Sequence, residues 1–143
     1  MGTLERAVAI AAEAHSGQVG KAGVPYLFHP LILMLKMSND EARIVAVLHD
    51  VVEDSNWTLD QLRKEGFSEL VLEAVNSVTK KQDETYEEFV LRAGTNSIGR
   101  SVKLADLKDN CNLSRIPHPA QKDRDRIVKY ERAILQLKGT LAQ

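Results

Sequence analysis

Residues 40–54, DEARIVAVLHDVVED, join a nearly unbroken apolar run to a dense group of ionisable side chains. The run from Ala42 to Leu48 contains no glycine or proline, so it predicts a deeply buried helix, with Asn39 or Asp40 as its cap. If that helix continues through HDVVED, Glu53 lies about 40° around from His49, and Asp54 the same from Asp50. Two adjacent stripes result, His49 over Glu53 and Asp50 over Asp54. Burying carboxylates and an imidazole at such a place is costly unless a cation or dense hydrogen bonding compensates. A divalent metal is the simplest compensation.

A His-Asp pair alone is a weak signal, since it arises by chance and also serves as a helix-end cap. The remaining inventory strengthens it. The chain has four histidines, His15, His29, His49 and His118. His29 stands in PYLFHPLILML, at the mouth of a second apolar helix in which Pro30 suits the first helical position. SVKLADLKDN places Asp106 within a helical pattern, with Asn110 one turn later on the same face. Two histidines and two aspartates on three apolar elements form a mixed nitrogen and oxygen set. That set suits Mn²⁺, Fe²⁺ or Zn²⁺ better than Ca²⁺ and leaves coordination positions for water and substrate.

Composition narrows the function classes. The 143 residues fit one domain, 1–143, with room for a real core. Nineteen basic against twenty acidic residues give a net charge of −1, which lacks the electrostatic footprint of a nucleic-acid polymer binder. The single cysteine, Cys111, excludes an intrachain disulfide and fits a cytoplasmic setting, where it reads as a small hydrophobe rather than a nucleophile. No stretch approaches the roughly 18 apolar residues of a membrane span. The first residues, MGTLERAVAIAAEAH, carry Glu5 and Glu13 and do not read as a signal peptide.

Helical period recurs along nearly the whole chain. Thr3 is placed to cap a first helix that ends near Gly17, and GQVGKAGVP from Gly17 to Pro25 reads as a loop. Thr58 with Gln61 and Thr85 with Glu88 fit the capping box, and Ser68 can start SELVLEAVNSV. A helix over Ser97–Cys111 carries Asp106, and IPHP separates it from a long final helix. There Ile127, Tyr130, Ile134, Leu137 and Leu141 form a heptad-like seam. Docking of this amphipathic helix on the core is the preferred reading, with a homodimer seam as the alternative. The expected fold is an all-α bundle of seven or eight helices.

The order AxxAHxGQ, KAGVPYLFHP, LHDVVED, SVTK and VKLADLKDN resembles the hydrolase domain of RelA/SpoT-type alarmone enzymes, within the HD phosphohydrolase superfamily. It is also similar to the small stand-alone alarmone hydrolases. The resemblance runs from Ala11 to about Leu113. It implies an HD-domain helical bundle holding one Mn²⁺, with Fe²⁺ or Zn²⁺ as alternatives, that removes the 3′-pyrophosphate from (p)ppGpp to leave GDP or GTP. By position, His29, His49, Asp50 and Asp106 match the metal ligands, the same set reached from residue chemistry. Glu53 and Asp54 match the acidic pair that positions and deprotonates water. Lys21 matches a basic residue near the phosphates, and Asn110 a polar residue facing the nucleotide. Lys80, in SVTK, reads equally as a phosphate contact or a solvated loop lysine.

Two positions depart from the family. Gly20 stands where relatives carry an arginine thought to stack on guanine, and Leu107 replaces the usual Arg or Lys after Asp106. Weak base selectivity is therefore expected. His15, within the AHxGQ segment, is expected to bond the following loop, and His118, between two prolines, to be solvated. The length has no room for a synthetase domain, so hydrolysis rather than synthesis is expected. The competing readings are a phosphohydrolase for another nucleotide and a catalytically silent nucleotide-binding module. Retention of every ligand and both acids argues against silence.

Overall fold

The computed structural model describes residues 2–20, 23–112, 116 and 118–142. Among these, the chain forms eight helices of six residues or more and one single turn. The order is α1 (Leu4–Ala14), α2 (Phe28–Lys36), α3 (Asp40–Leu48), α4 (Val51–Asp54), α5 (Leu59–Lys64), α6 (Glu69–Ser77), α7 (Tyr86–Gly94), α8 (Ser97–Asn110) and α9 (Gln121–Ala142). The only β pairing among the described residues is an isolated bridge between Val19 and Pro25. The all-α expectation holds.

Local chemistry sets the helix starts. Thr3, Asn39, Ser68 and Asn96 each accept a backbone N–H of the first turn, at the heads of α1, α3, α6 and α8. Reciprocal capping boxes at Thr58/Gln61 and Thr85/Glu88 begin α5 and α7 as expected. Gly17, at φ +80°, turns the chain out of α1 through a left-handed conformation that suits glycine. One boundary moves: α2 begins at Phe28, two residues before Pro30. Pro30 is still tolerated there because first-turn N–H groups have no helical partner to lose.

α3 is the axle of the bundle. Ile44 to Leu48 are all buried, because α1, α2, α6 and α8 pack around them. This explains the absence of a polar stripe in the sequence. At Gly99 a Cβ would collide with the Ser77 hydroxyl, so glycine permits the close approach of α8 to α6.

HDVVED does not continue α3. The helix ends at Leu48, Asp50 adopts φ −105° and ψ 0°, and α4 restarts at Val51. The cause is local: His49 Nδ1 donates to the Ala46 carbonyl at 2.8 Å. In an unbroken helix that carbonyl would accept the Asp50 N–H, so a side chain competes with the backbone and a kink follows. The expected stripes of His49 over Glu53 and Asp50 over Asp54 are thereby replaced by a bend between the first pair of residues and the last.

A second apolar cluster joins Val90 of α7 and Leu107 of α8 to Ala133 and Leu137 of α9, with Tyr130 and Ile134 packed on it. Tyr130, Ile134 and Leu137 of the seam are thus used for docking within the chain, the Leu141 side chain lies outside the described residues, and nothing supports the dimer alternative. Leu107 is fully buried here, so this position is given over to packing. No helix among the described residues is long and apolar enough to cross a membrane.

Candidate metal centre

The break after α3 turns His49 and Asp50 toward His29 on the first turn of α2 and Asp106 on α8. Ligand-capable atoms of His29, His49 and Asp50 lie within 4.8 Å of one another. Asp106 Oδ1 stands 2.7 Å from His29 Nε2 and 3.4 Å from His49 Nε2. His49 Nε2 is also 3.0 Å from Asp50 Oδ2. Donors bound about 2.1 Å from one ion sit about 3–4 Å apart, so the 3.0 and 3.4 Å separations at His49 suit a shared cation, while the His29–Asp106 contact is a direct hydrogen bond.

Hydrogen-bond accounting tests the fit. His49 Nδ1 must carry the proton it gives to the Ala46 carbonyl, which leaves Nε2 of the neutral ring as a bare lone pair. That atom is buried without a hydrogen bond, although two carboxylate oxygens stand near it. His29 is held at both ring nitrogens, by a carboxylate on each side. Its Nδ1 lies 2.6 Å from Asp109 Oδ2, and its Nε2 faces Asp106. A ligating histidine whose other ring nitrogen is held by a carboxylate or a carbonyl is the usual support for a metal. The residues therefore fit a divalent cation.

Further contacts fix the carboxylates. Asp106 Oδ2 takes Lys103 Nζ at 3.2 Å, while Asn110 Nδ2 donates to Oδ1 at 3.1 Å. Lys103 is buried, with its ammonium 4.6 Å from the Phe89 ring centroid. Asp50 Oδ2 accepts the Tyr26 hydroxyl. Burial works against the ionised form of Asp106, but His29, His49 and Lys103 overcome it and hold its pKa well below the usual range. Burial also opposes the charged His49 ring, yet Asp50 and Asp106 outweigh it and raise its pKa well above normal. The two carboxylates attract positive charge at this point, which a proton or a metal can supply.

The acidic pair flanks this cluster differently from the sequence expectation. Glu53 is exposed, and its Oε1 accepts the Lys80 N–H at 2.7 Å. Asp54 is also exposed as a residue, although its carboxyl is partly desolvated. Burial, followed by the charges of Asp50 and Glu53, pushes its pKa up to about 6. Asn110 does face the space beside the cluster. It lines a cavity of about 410 Å³ together with His29, Asp109, Asn112, Tyr26 and the apolar Val19, Val24, Phe28 and Ile32. A cavity of this size holds a nucleotide-scale ligand. Gly20 contributes to its wall without a side chain. Lys21 lies outside the described residues.

His15 behaves as expected, with Nδ1 donating to Gln18 Oε1 at 2.9 Å, and Gln18 in turn donating to the Asp54 carbonyl at 3.2 Å. His118 is exposed. Sequence reasoning missed Asp109, Tyr26 and Lys103. Each stands three residues from a candidate ligand, Asp109 and Lys103 on either side of Asp106 and Tyr26 before His29, which is the only signal they offered.

No family model matches the chain. Curated relatives do. A guanosine-3′,5′-bis(diphosphate) 3′-pyrophosphohydrolase of Aquifex aeolicus is 35% identical over 119 residues, covering 75% of this chain and 17% of its own length. The corresponding protein of Haemophilus influenzae is 34% identical, over 80% of this chain and 19% of its own length. A GTP pyrophosphokinase of Streptomyces coelicolor is 32% identical, over 97% of this chain and 17% of its own length. The chain thus spans less than a fifth of each of these relatives. Among solved structures, one described as a metazoan ortholog of SpoT that hydrolyzes ppGpp superposes with a TM-score of 0.78 at 24% identity, covering 96% of this chain and 86% of its own. In sequence and in fold, the chain is a RelA/SpoT hydrolase-like HD domain.

Proposed function

We propose that the protein is a metal-dependent phosphohydrolase that removes the 3′-pyrophosphate of guanosine alarmones such as (p)ppGpp, releasing pyrophosphate and GDP or GTP. The observation that carries this reading is the convergence of His29, His49, Asp50 and Asp106 around a buried imidazole nitrogen that lacks a hydrogen bond, beside a nucleotide-sized cavity. Relatives named for this hydrolysis support the choice of substrate.

In this reading the four residues hold one Mn²⁺. When bound, such an ion lowers the pKa of water and offsets phosphoryl charge as the bond breaks. The chain's own groups do the rest. Asp109 and the Ala46 carbonyl fix the two imidazoles so that their Nε2 atoms both face Asp106. Lys103 and Asn110 hold the Asp106 carboxylate. Asp54 and Glu53, just beyond the ligands, accept the proton of the attacking water, and the raised pKa of Asp54 suits a base working near neutral pH. No covalent nucleophile is needed. The apolar walls at Val19, Val24 and Phe28 take the base, Asn110 meets the nucleotide, and Lys21 is assigned to the phosphates.

An adenine counterpart is the second reading. It is favoured by Gly20, which leaves the cavity wall bare where an arginine would stack on guanine. The test is pyrophosphate release with Mn²⁺ across guanine and adenine nucleotides with and without a 3′-diphosphate. Release from the 3′-diphosphates alone is expected. Turnover confined to other nucleotides would reassign the substrate, and turnover of none would overturn the enzymatic reading.

A further inference from the structure

Away from the metal-capable cluster, the α7 residue Arg92 makes an unusually complete set of bonds. Its Nη1 donates to the Asn76 carbonyl at 2.8 Å and its Nη2 to the Thr79 carbonyl at 2.7 Å. Its Nε and Nη2 also grip both oxygens of Glu84, at 2.7 and 2.9 Å. Glu84 Oε1 further accepts the Lys81 N–H at 3.1 Å. Stabilising the end of α6 would need only the first two bonds. The bidentate grip on Glu84 does something more, because it ties the far end of segment 78–84 to α7. In the middle of that segment the Lys80 N–H points at Glu53 Oε1, 2.7 Å away.

We propose that Arg92 is a positioning residue for Glu53, acting through the clamped 78–84 segment and its Lys80 amide; this rests on the reading of Glu53 as half of the water-handling pair. A backbone donor is aimed only by the segment that carries it, so control of Glu53 passes to whatever fixes the segment. Tying Oε1 to an amide restricts rotation of the Glu53 carboxylate and leaves Oε2 for the proton. Arginine is required because a planar fork reaches the carbonyls and the carboxylate together, whereas a lysine ammonium is a point charge.

The test uses Arg92→Lys and Glu84→Gln, each in the parent protein and in a Glu53→Ala background. Hydrogen exchange of the Lys80 amide should accelerate at least about tenfold in either variant while α3 amides keep their protection. In the parent background kcat should fall about five- to fiftyfold, with KM and Mn²⁺ affinity within about twofold. In the Glu53→Ala background the same changes should alter kcat by less than about twofold, since a residue acting through Glu53 has nothing left to act on. Equal slowing in both backgrounds, or unchanged Lys80 exchange, would overturn the proposal. If the parent hydrolyses no nucleotide, the functional reading fails separately and the exchange data alone decide the link, faster exchange supporting it and unchanged exchange overturning it. If Arg92→Lys does not fold, Glu84→Gln carries both readouts.

Discussion

Two polar clusters in this molecule are built on opposite principles. Around Arg92, one cation meets two carbonyls and a bidentate carboxylate, every partner is within 3 Å, and Glu84 is drawn down to a pKa of about 2. That cluster is complete in itself. Around His49, carboxylates and imidazoles face one another, and one buried ring nitrogen, His49 Nε2, is left without a hydrogen bond. Lys103 answers part of the negative charge, on the outer oxygen of Asp106. The first cluster needs nothing from solution, whereas the second leaves a buried ring nitrogen that a proton or a bound cation would satisfy. Since a buried unsatisfied group costs about 1–3 kcal/mol, the orphaned His49 Nε2 among carboxylates points to a ligand rather than to stability.

The comparison breaks most visibly at the acceptor-rich cluster. Asp106→Ala removes the carboxylate that touches both imidazoles, so it should abolish Mn²⁺ binding and reduce turnover to background, measured by calorimetry and pyrophosphate release. The next largest effect is expected at Asp54, one of the pair proposed to handle the water. Asp54→Asn should slow turnover about 10²–10⁴-fold with metal affinity nearly intact, the range for loss of a general base. Because the folded protein raises the Asp54 pKa to about 6, the group is protonated and unable to accept a proton at lower pH. Activity should therefore climb as pH rises toward about 6 and level off above it, with a bound cation moving the inflection lower, and Asp54→Asn should erase that limb. By linkage, the same raised pKa means that the metal-free protein gains stability from the proton at low pH and loses it as pH rises through about 6. Asp109→Asn keeps the shape of the His29 support but removes its charge, and should weaken Mn²⁺ about 10–100-fold in a binding titration. The smallest effect is expected at the base. A Cβ at Gly20 meets only the Val24 carbonyl, at an ordinary 3.6 Å, so Gly20→Arg should be tolerated. A stacked guanidinium worth about 0.5–2 kcal/mol should lower KM for guanine nucleotides about two- to thirtyfold with kcat similar. In the unaltered protein, kcat/KM for guanine and adenine 3′-diphosphates should agree within about one order of magnitude.

Much of this contrast was legible in the chain, but unevenly. Helix starts were readable because caps such as Thr58/Gln61 and Thr85/Glu88 are local chemistry. His29, His49, Asp50 and Asp106 stood out because ionisable side chains are costly in apolar runs, and the fold brings them together. The kink at His49 was not legible. It depends on whether an imidazole or a backbone N–H takes the Ala46 carbonyl, a contest decided by where the ring is drawn in the folded molecule. Asp109 looked like one more polar residue on α8 until His29 arrived from 80 positions away. The Arg92 clamp was hidden for a different reason, since two of its partners are main-chain carbonyls that carry no sequence signature.

The central claim is that the His49 cluster is unfinished without a metal while the Arg92 cluster is not. It is tested most directly by melting the chelator-stripped protein with and without Mn²⁺. Saturation at about 100 times Kd should stabilise the fold by about 2.7 kcal/mol, raising Tm by about 5–10 °C. Asp106→Ala should show no rise, and Arg92→Lys should start from a lower Tm yet show the same rise. An unchanged Tm in the parent protein, or an equal rise in Asp106→Ala, would contradict the account.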